Sequence, residues 1–154
     1  MEIIELNQKP GIDTNVKLKE AYVQFESLLF ELRKKDLPEG LVRSVNQDIE
    51  ALNSTSISGE AMRKIIKKTQ TKMIKLLEKE LKLVPKNYYR NLWLALGMTA
   101  FGLPIGVAFG TILGNMAFLG IGLPMGLALG LAIGSGMDNK AFKEGRQLDV
   151  EIKY

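Results

Sequence analysis

Residues 91–137 read NLWLALGMTAFGLPIGVAFGTILGNMAFLGIGLPMGLALGLAIGSGM and contain no ionisable side chain. A transmembrane helix needs about 20 predominantly apolar residues. The run therefore holds two passes and a tight turn, with spans expected over about 91–113 and 116–137. Its glycines recur at fours, at Gly102, Gly106, Gly110 and Gly114, then at Gly122, Gly126, Gly130 and Gly134. Spacing by four places them along one face of each helix. A face without side chains lets another backbone approach closely in lipid, where hydrophobic burial no longer drives helices together. These eight glycines are the expected helix-packing and oligomerisation residues. The fold class expected is an all-α membrane protein built on a two-helix transmembrane glycine-zipper hairpin.

The run also repeats itself, because GLPIGVAFG at 102–110 matches GLPMGLALG at 122–130. With the turn at Gly114 and Asn115, Pro104 and Pro124 stand at similar depth and are the expected helix bends. Proline removes a backbone hydrogen bond, a defect tolerated in lipid only where protein, a hydroxyl or water satisfies the carbonyl left over. A hairpin uses part of two glycine stripes. The remaining small-residue surface, including Ala95, Ala100, Ala108, Ala117, Ala128 and Ala132, points to a homo-oligomer.

Charge sets the orientation. Lys79, Lys82, Lys86 and Arg90 precede the first span, Lys140, Lys143 and Arg146 follow the second, and the turn between them is uncharged. By the positive-inside rule both termini are expected in the cytoplasm. The opening MEIIELNQKPGID lacks a basic segment followed by an apolar core, so a cleaved signal is not expected. Tyr88, Tyr89 and Trp93, with Lys82, Lys86 and Arg90, are the expected membrane-interface residues, since amphipathic rings and basic side chains favour that boundary.

On these residues, GLPIGVAFGTILG and GLPMGLALGLAIG, the chain resembles the glycine-zipper membrane proteins of bacteria, a loose grouping defined by GxxxGxxxG repeats. The resemblance covers residues 91–137. It implies close helix packing and homo-oligomers, some of them pores. With neither a signal nor a cysteine to lipidate, the expected location is the bacterial cytoplasmic (inner) membrane.

Residues 1–86 are expected to form a cytoplasmic amphipathic helical domain, with helices over about 14–35, 39–53 and 58–84. Leu18, Tyr22, Phe25, Leu29 and Leu32 step by four and three, the period of a buried helical stripe. Asp36-Leu37-Pro38-Glu39-Gly40 breaks the pattern, and proline with acidic residues favours a new helix start. Val42, Val45, Ile49 and Leu52 mark the second stripe. Ser58 is a candidate cap for the third, which carries Met62, Ile66, Thr69, Met73, Leu76 and Leu77 toward Pro85. Residues 63–90 hold ten Lys and Arg against Glu78 and Glu80, a net charge of +8, whereas residues 1–62 carry −4. Anionic lipid headgroups attract basic side chains by about 1 kcal/mol each near the surface. Anionic lipid is thus the expected partner of the basic helix; no recognised nucleic-acid motif accompanies it. The tail, 138–154, alternates Leu148, Val150, Ile152 and Tyr154 with charged residues, the period of a strand over 147–154. A short counterpart lies at Ile4-Glu5-Leu6. Pairing within one chain, pairing between subunits and an unstructured tail all stay open.

The absence of Cys and His removes disulfides, thiolate nucleophiles, imidazole bases and the usual zinc and haem ligands. Asp48/Glu50 and Glu78/Glu80 stand two apart, which turns their carboxylates to different faces of a helix. No cofactor, metal or enzymatic activity is expected. The function expected is a homo-oligomeric membrane scaffold whose cytoplasmic helices recruit a protein partner; the alternative is an oligomeric pore, its path lined by backbone carbonyls, Thr99, Thr111 and Asn115.

Overall fold

In the computed structural model, which describes residues 2–8, 12, 15–115, 117 and 119–153, helix α1 (Val16–Arg33) starts where the Asn15 side chain accepts a hydrogen bond from the Leu18 amide at 3.1 Å. That bond satisfies one of the donors a helix start leaves over. The predicted stripe of Leu18, Tyr22, Phe25, Leu29 and Leu32 is buried, joined by Ala21 and Leu28. Helix α2 (Glu39–Ser54) begins behind Pro38 and buries Leu41, Val42, Val45, Ile49 and Leu52. Helix α3 (Gly59–Leu81) follows Ser58, whose side chain makes no capping bond. On α3 the buried face carries Gln70 and Ile74, while Thr69 and Leu76, expected there, are half-buried.

Helix α3 ends at Leu81 rather than 84, because Lys82 turns left-handed (φ 54°) and the chain re-emerges as strand β1 (Val84–Lys86). Strand β2 (Gln147–Glu151) forms a two-stranded sheet with β1. Of the alternatives left open, the tail pairs within the chain, with β1 rather than with Ile4-Glu5-Leu6, and its strand ends at Glu151; Tyr154, like residues 14 and 116 at the expected starts of two helices, lies outside the described residues.

The extended residues 2–8 dock instead on helix side chains. Asn46 on α2 accepts from the Ile4 amide (3.0 Å) and donates to the Glu2 carbonyl (2.9 Å). Seven residues on, Asn53 accepts from the Asn7 amide (2.8 Å) and donates to the Glu5 carbonyl (3.0 Å). Seven helical residues rise about 10 Å, and three extended residues also span about 10 Å. The two amides thus meet the segment at a matching repeat and stand in for a neighbouring strand. Arg33 adds bonds to the carbonyls of Ile3 (3.2 Å) and Ile4 (2.8 Å), and Ile3 and Leu6 are buried.

The chain divides into two compact units, one of residues up to Leu83 together with those from Leu148, the other Val84–Gln147. In the second, α4 (Tyr88–Leu96), a π-helical stretch (Gly97–Gly102) and α5 (Leu103–Ile112) run on as one helical segment. Helix α6 (Leu119–Lys143) returns. The first segment begins three residues before the predicted span and the second runs six past it. Gly114 (φ 63°) makes the turn. The Asn115 amide donates to the Gly110 carbonyl at 3.0 Å, and the Asn115 side chain accepts from Ala117 at 2.9 Å. Helix α6 closes on Gly145 (φ 68°), with Gly145 and Arg146 amides donating to the carbonyls of Phe142 and Ala141. This double bond at a left-handed glycine is a Schellman stop.

Candidate functional site: the glycine-lined hairpin and the carboxylate at its base

The two hairpin helices meet backbone to backbone. A methyl group placed on Gly106 would lie 2.5 Å from the Leu119 carbonyl oxygen, and one on Gly134 would lie 2.6 Å from the Tyr89 carbonyl oxygen and the Arg90 Cα. On Gly122 it would strike the Gly102 carbonyl and the Gly106 backbone, on Gly126 the Gly97 carbonyl, and on Gly130 the Trp93 carbonyl. Gly102 is looser, with 3.1 Å to the Gly122 carbonyl. Six of the eight predicted glycines therefore face the opposite helix of their own chain. Gly110 is buried on the same side of α5, whereas Gly114 sits in the turn with open space around it and takes no part in the packing.

Gly97 belongs to this face although it stands five residues before Gly102 rather than four. The π-helical winding of 97–102 accounts for it: a turn closed by i→i+5 bonds carries about one extra residue, so a spacing of five keeps the same face. The Leu103 amide bonds to the Met98 carbonyl, five residues back, just before Pro104. Pro124 lies within α6, which continues through it. Both prolines are exposed. The repeat predicts equivalent bends at the two prolines, but their local windings differ: Pro104 follows a π-helical stretch and Pro124 lies within an α-helix.

Continuing the α6 stripe by one more four brings it to Asp138, one residue beyond the uncharged run. Asp138 is buried, and its two carboxylate oxygens accept from the backbone amides of Tyr89 (3.1 Å) and Arg90 (2.9 Å), in the first turn of α4. An N-cap side chain normally satisfies these amides from the residue preceding its own helix. Asn87 occupies that place, is left-handed (φ 58°) and makes no side-chain cap bond. The carboxylate of the returning helix does the capping across the hairpin, with its negative charge at the positive end of the α4 dipole. Around it Val84, Tyr89 and Ala141 form a small buried cluster with Tyr88 and Trp93 against it. Tyr88 and Tyr89 meet edge to face at 5.2 Å, the Trp93 indole N–H points to the Met137 sulfur at 3.0 Å, and the Val84 amide donates to the Arg146 carbonyl at 3.0 Å. The aromatic residues predicted at an interface are thus bound up in the hairpin base. Of the predicted cations, Arg90 lends its backbone amide to Asp138, Lys86 is exposed on β1, and Lys82 closes α3 with its amide donating to the Glu78 carbonyl at 3.0 Å and its ammonium 3.8 Å from the Glu78 carboxylate.

Above this base, most of the large apolar side chains described on the hairpin are exposed. Leu92, Phe101, Val107, Phe109, Ile121 and Leu129 are exposed, as are most of their apolar neighbours. The Thr99 and Thr111 hydroxyls donate back into their own helices, to the carbonyls of Ala95 (3.1 Å) and Ala108 (2.9 Å). Both helices are long and apolar enough to cross a membrane, with mean hydropathies of 1.8 and 1.6, and only 17% and 22% of their apolar windows are buried. Among the described residues no group of acidic side chains could hold a metal ion. Comparison with family models, curated proteins and solved structures matched none of them to this chain.

Proposed function

We propose that the chain is a non-enzymatic integral membrane protein, anchored by the glycine-zipper hairpin and acting as a scaffold. The observation that carries this reading is the inversion of the hairpin, with glycine backbone inside and large apolar side chains outside. A helix pair in the core of a water-soluble protein would bury those side chains, since each is worth about 1.5–3 kcal/mol on leaving water. Lipid accepts them without cost. In this reading the hairpin lies in a bacterial cytoplasmic membrane, both ends are cytoplasmic, and the helical domain of α1–α3 is offered to a second copy, to anionic headgroups and to a protein partner.

The scaffold is preferred to a pore on one observation: the hydroxyls of Thr99 and Thr111 are spent on their own helices, which leaves outward surfaces suited to lipid and poor in groups to replace an ion's hydration shell. Reconstitution into liposomes tests both. The protein is expected to float with the vesicles after an alkaline wash and to release neither ions nor a small dye. Loss from the vesicles on washing would refute the anchor, and flux above that of empty vesicles would put the pore in the scaffold's place.

A further inference from the structure

Helix α1 has a second stripe, opposite its buried one. Val16, Val23 and Phe30 recur at seven and stand 70%, 53% and 58% exposed, and the residues between them on the same face, Lys19, Glu20, Glu26 and Ser27, are exposed as well. Recurrence at seven keeps side chains on one seam of a helix for a partner helix to cover. The charges specify which partner. If a second α1 is laid antiparallel, with Val23 against its own copy, Val16 falls opposite Phe30 and Phe30 opposite Val16. In such a symmetric pair like flanks meet, so Lys19 faces Glu26 of the second copy and Glu26 faces its Lys19, while on the other flank Glu20 faces Ser27. Val16 also borders a cavity of about 770 Å³ that Val150 and the basic Arg63 and Lys67 help to line, leaving space for the incoming phenyl ring.

We infer that the outer face of α1 is a self-association surface, on which two copies pair antiparallel through Val16, Val23 and Phe30 with reciprocal Lys19–Glu26 contacts. It rests on the membrane-anchor reading in one respect. Stable complexes bury roughly 1,200 Å² or more, more than a seam of three apolar side chains on each copy is expected to supply, so the pairing draws on the effective concentration that confinement in one membrane provides. The six predicted glycines that pack in the hairpin do not compete for this role, because they already face the opposite helix of their own chain.

The absence of native cysteine makes the test direct. In liposomes under mild oxidation Val23→Cys is expected to form a disulfide dimer. Val16→Cys and Phe30→Cys are each expected to stay monomeric alone and to cross-link when mixed. Lys19→Glu in the Val23→Cys background should lower the dimer yield about tenfold, since two exposed attractions become repulsions. Adding Glu26→Lys should restore it, which a mere folding defect would not allow. Failure of the Val23→Cys variant to dimerise, cross-linking of Val16→Cys to itself, or indifference to charge reversal would each overturn the inference. Vesicle flotation, read separately, reports on the anchor, and cross-linking repeated at high protein concentration in detergent tests the pairing without it.

Discussion

Gly120 and Gly122 are two residues apart on α6 and differ in what a single methyl group would meet. Around Gly120 there is nothing within 4 Å, whereas at Gly122 the group would run into the backbone at Gly102 and Gly106. Backbone cannot step aside as a side chain can, so overpacking of about 1–3 kcal/mol is expected for Gly122→Ala and next to none for Gly120→Ala. Thermal or denaturant unfolding in detergent, followed by helicity, measures the difference; equal stabilities would refute the packing. Gly106→Leu or Gly126→Leu would disrupt the hairpin itself, and so could not serve as a probe of oligomerisation alone. In the first unit the sensitive residue is Tyr22, whose buried hydroxyl has no hydrogen-bond partner among the described residues. Burial, with a smaller push from Glu26, raises its pKa from 10.0 to about 12. The unfolded chain releases this proton near pH 10 and the folded one only near 12, so the contribution is intact below pH 10 and is lost as pH rises through that window. Tyr22→Phe should abolish this part of the alkaline destabilisation. It should also raise stability at neutral pH by about 1 kcal/mol, because an unsatisfied buried hydroxyl is removed. A variant less stable than the parent in a neutral-pH melt would imply a bond that this geometry lacks.

At the scale of elements, the period of apolar residues is enough to place α1 and α2, and the uncharged run with its glycines at fours places both hairpin helices, since each buries one stripe that is visible in the chain. What escaped were features held by groups distant in sequence. Ile4-Glu5-Leu6 alternates like a strand, but residues 2–8 bond to Asn46 and Asn53, whose spacing of seven matches an extended segment only once the helix is known. Lys82 gave no sign of a left-handed stop, because a lysine there bears a conformation usually left to glycine. Asp138 does carry a signal, as the next step of four after Gly134, but it stands one residue outside a run whose bounds are set by lack of charge. Replacing Asn53 by Ala should cost about 1–2 kcal/mol, from two hydrogen bonds, and should speed amide exchange at Asn7 well before α1 is affected. Exchange unchanged at Asn7 would mean that the segment is held by Ile3 and Leu6 alone. Asp138→Ala should cost about 0.5–2 kcal/mol as a lost helix cap, with fraying of α4 detectable at the Tyr89 and Arg90 amides. Asp138→Asn should recover part of that, since the amide oxygen can accept from only one of the two.

For the molecule as a whole, the outward apolar surface of the hairpin and the placement of charge at its ends make one joint demand. The segment from Leu92 to Met137 has no ionisable side chain to hold it in water, while the basic residues lie before and after it. Moving Lys140, Lys143 and Arg146 across a bilayer would cost about 2.5–3.5 kcal/mol for each charge at the membrane centre, whereas the turn at Gly114 and Asn115 carries none. On the proposed anchor reading, insertion as a closed hairpin, turn first, would avoid this. It would also let Asp138 reach the Tyr89 and Arg90 amides on the side of entry, where water would solvate the carboxylate until the cap forms. Cysteines introduced one at a time are expected to react accordingly with a membrane-impermeant reagent. Glu39→Cys and Lys153→Cys should label from the cytoplasmic side alone, and Asn115→Cys from the opposite side alone. Labelling of Asn115→Cys and Lys153→Cys from the same side would mean that the helices lie on the membrane or outside it. The outward face of the hairpin would then have to be covered by protein, which would shift the weight of the reading from an anchor to an assembly interface.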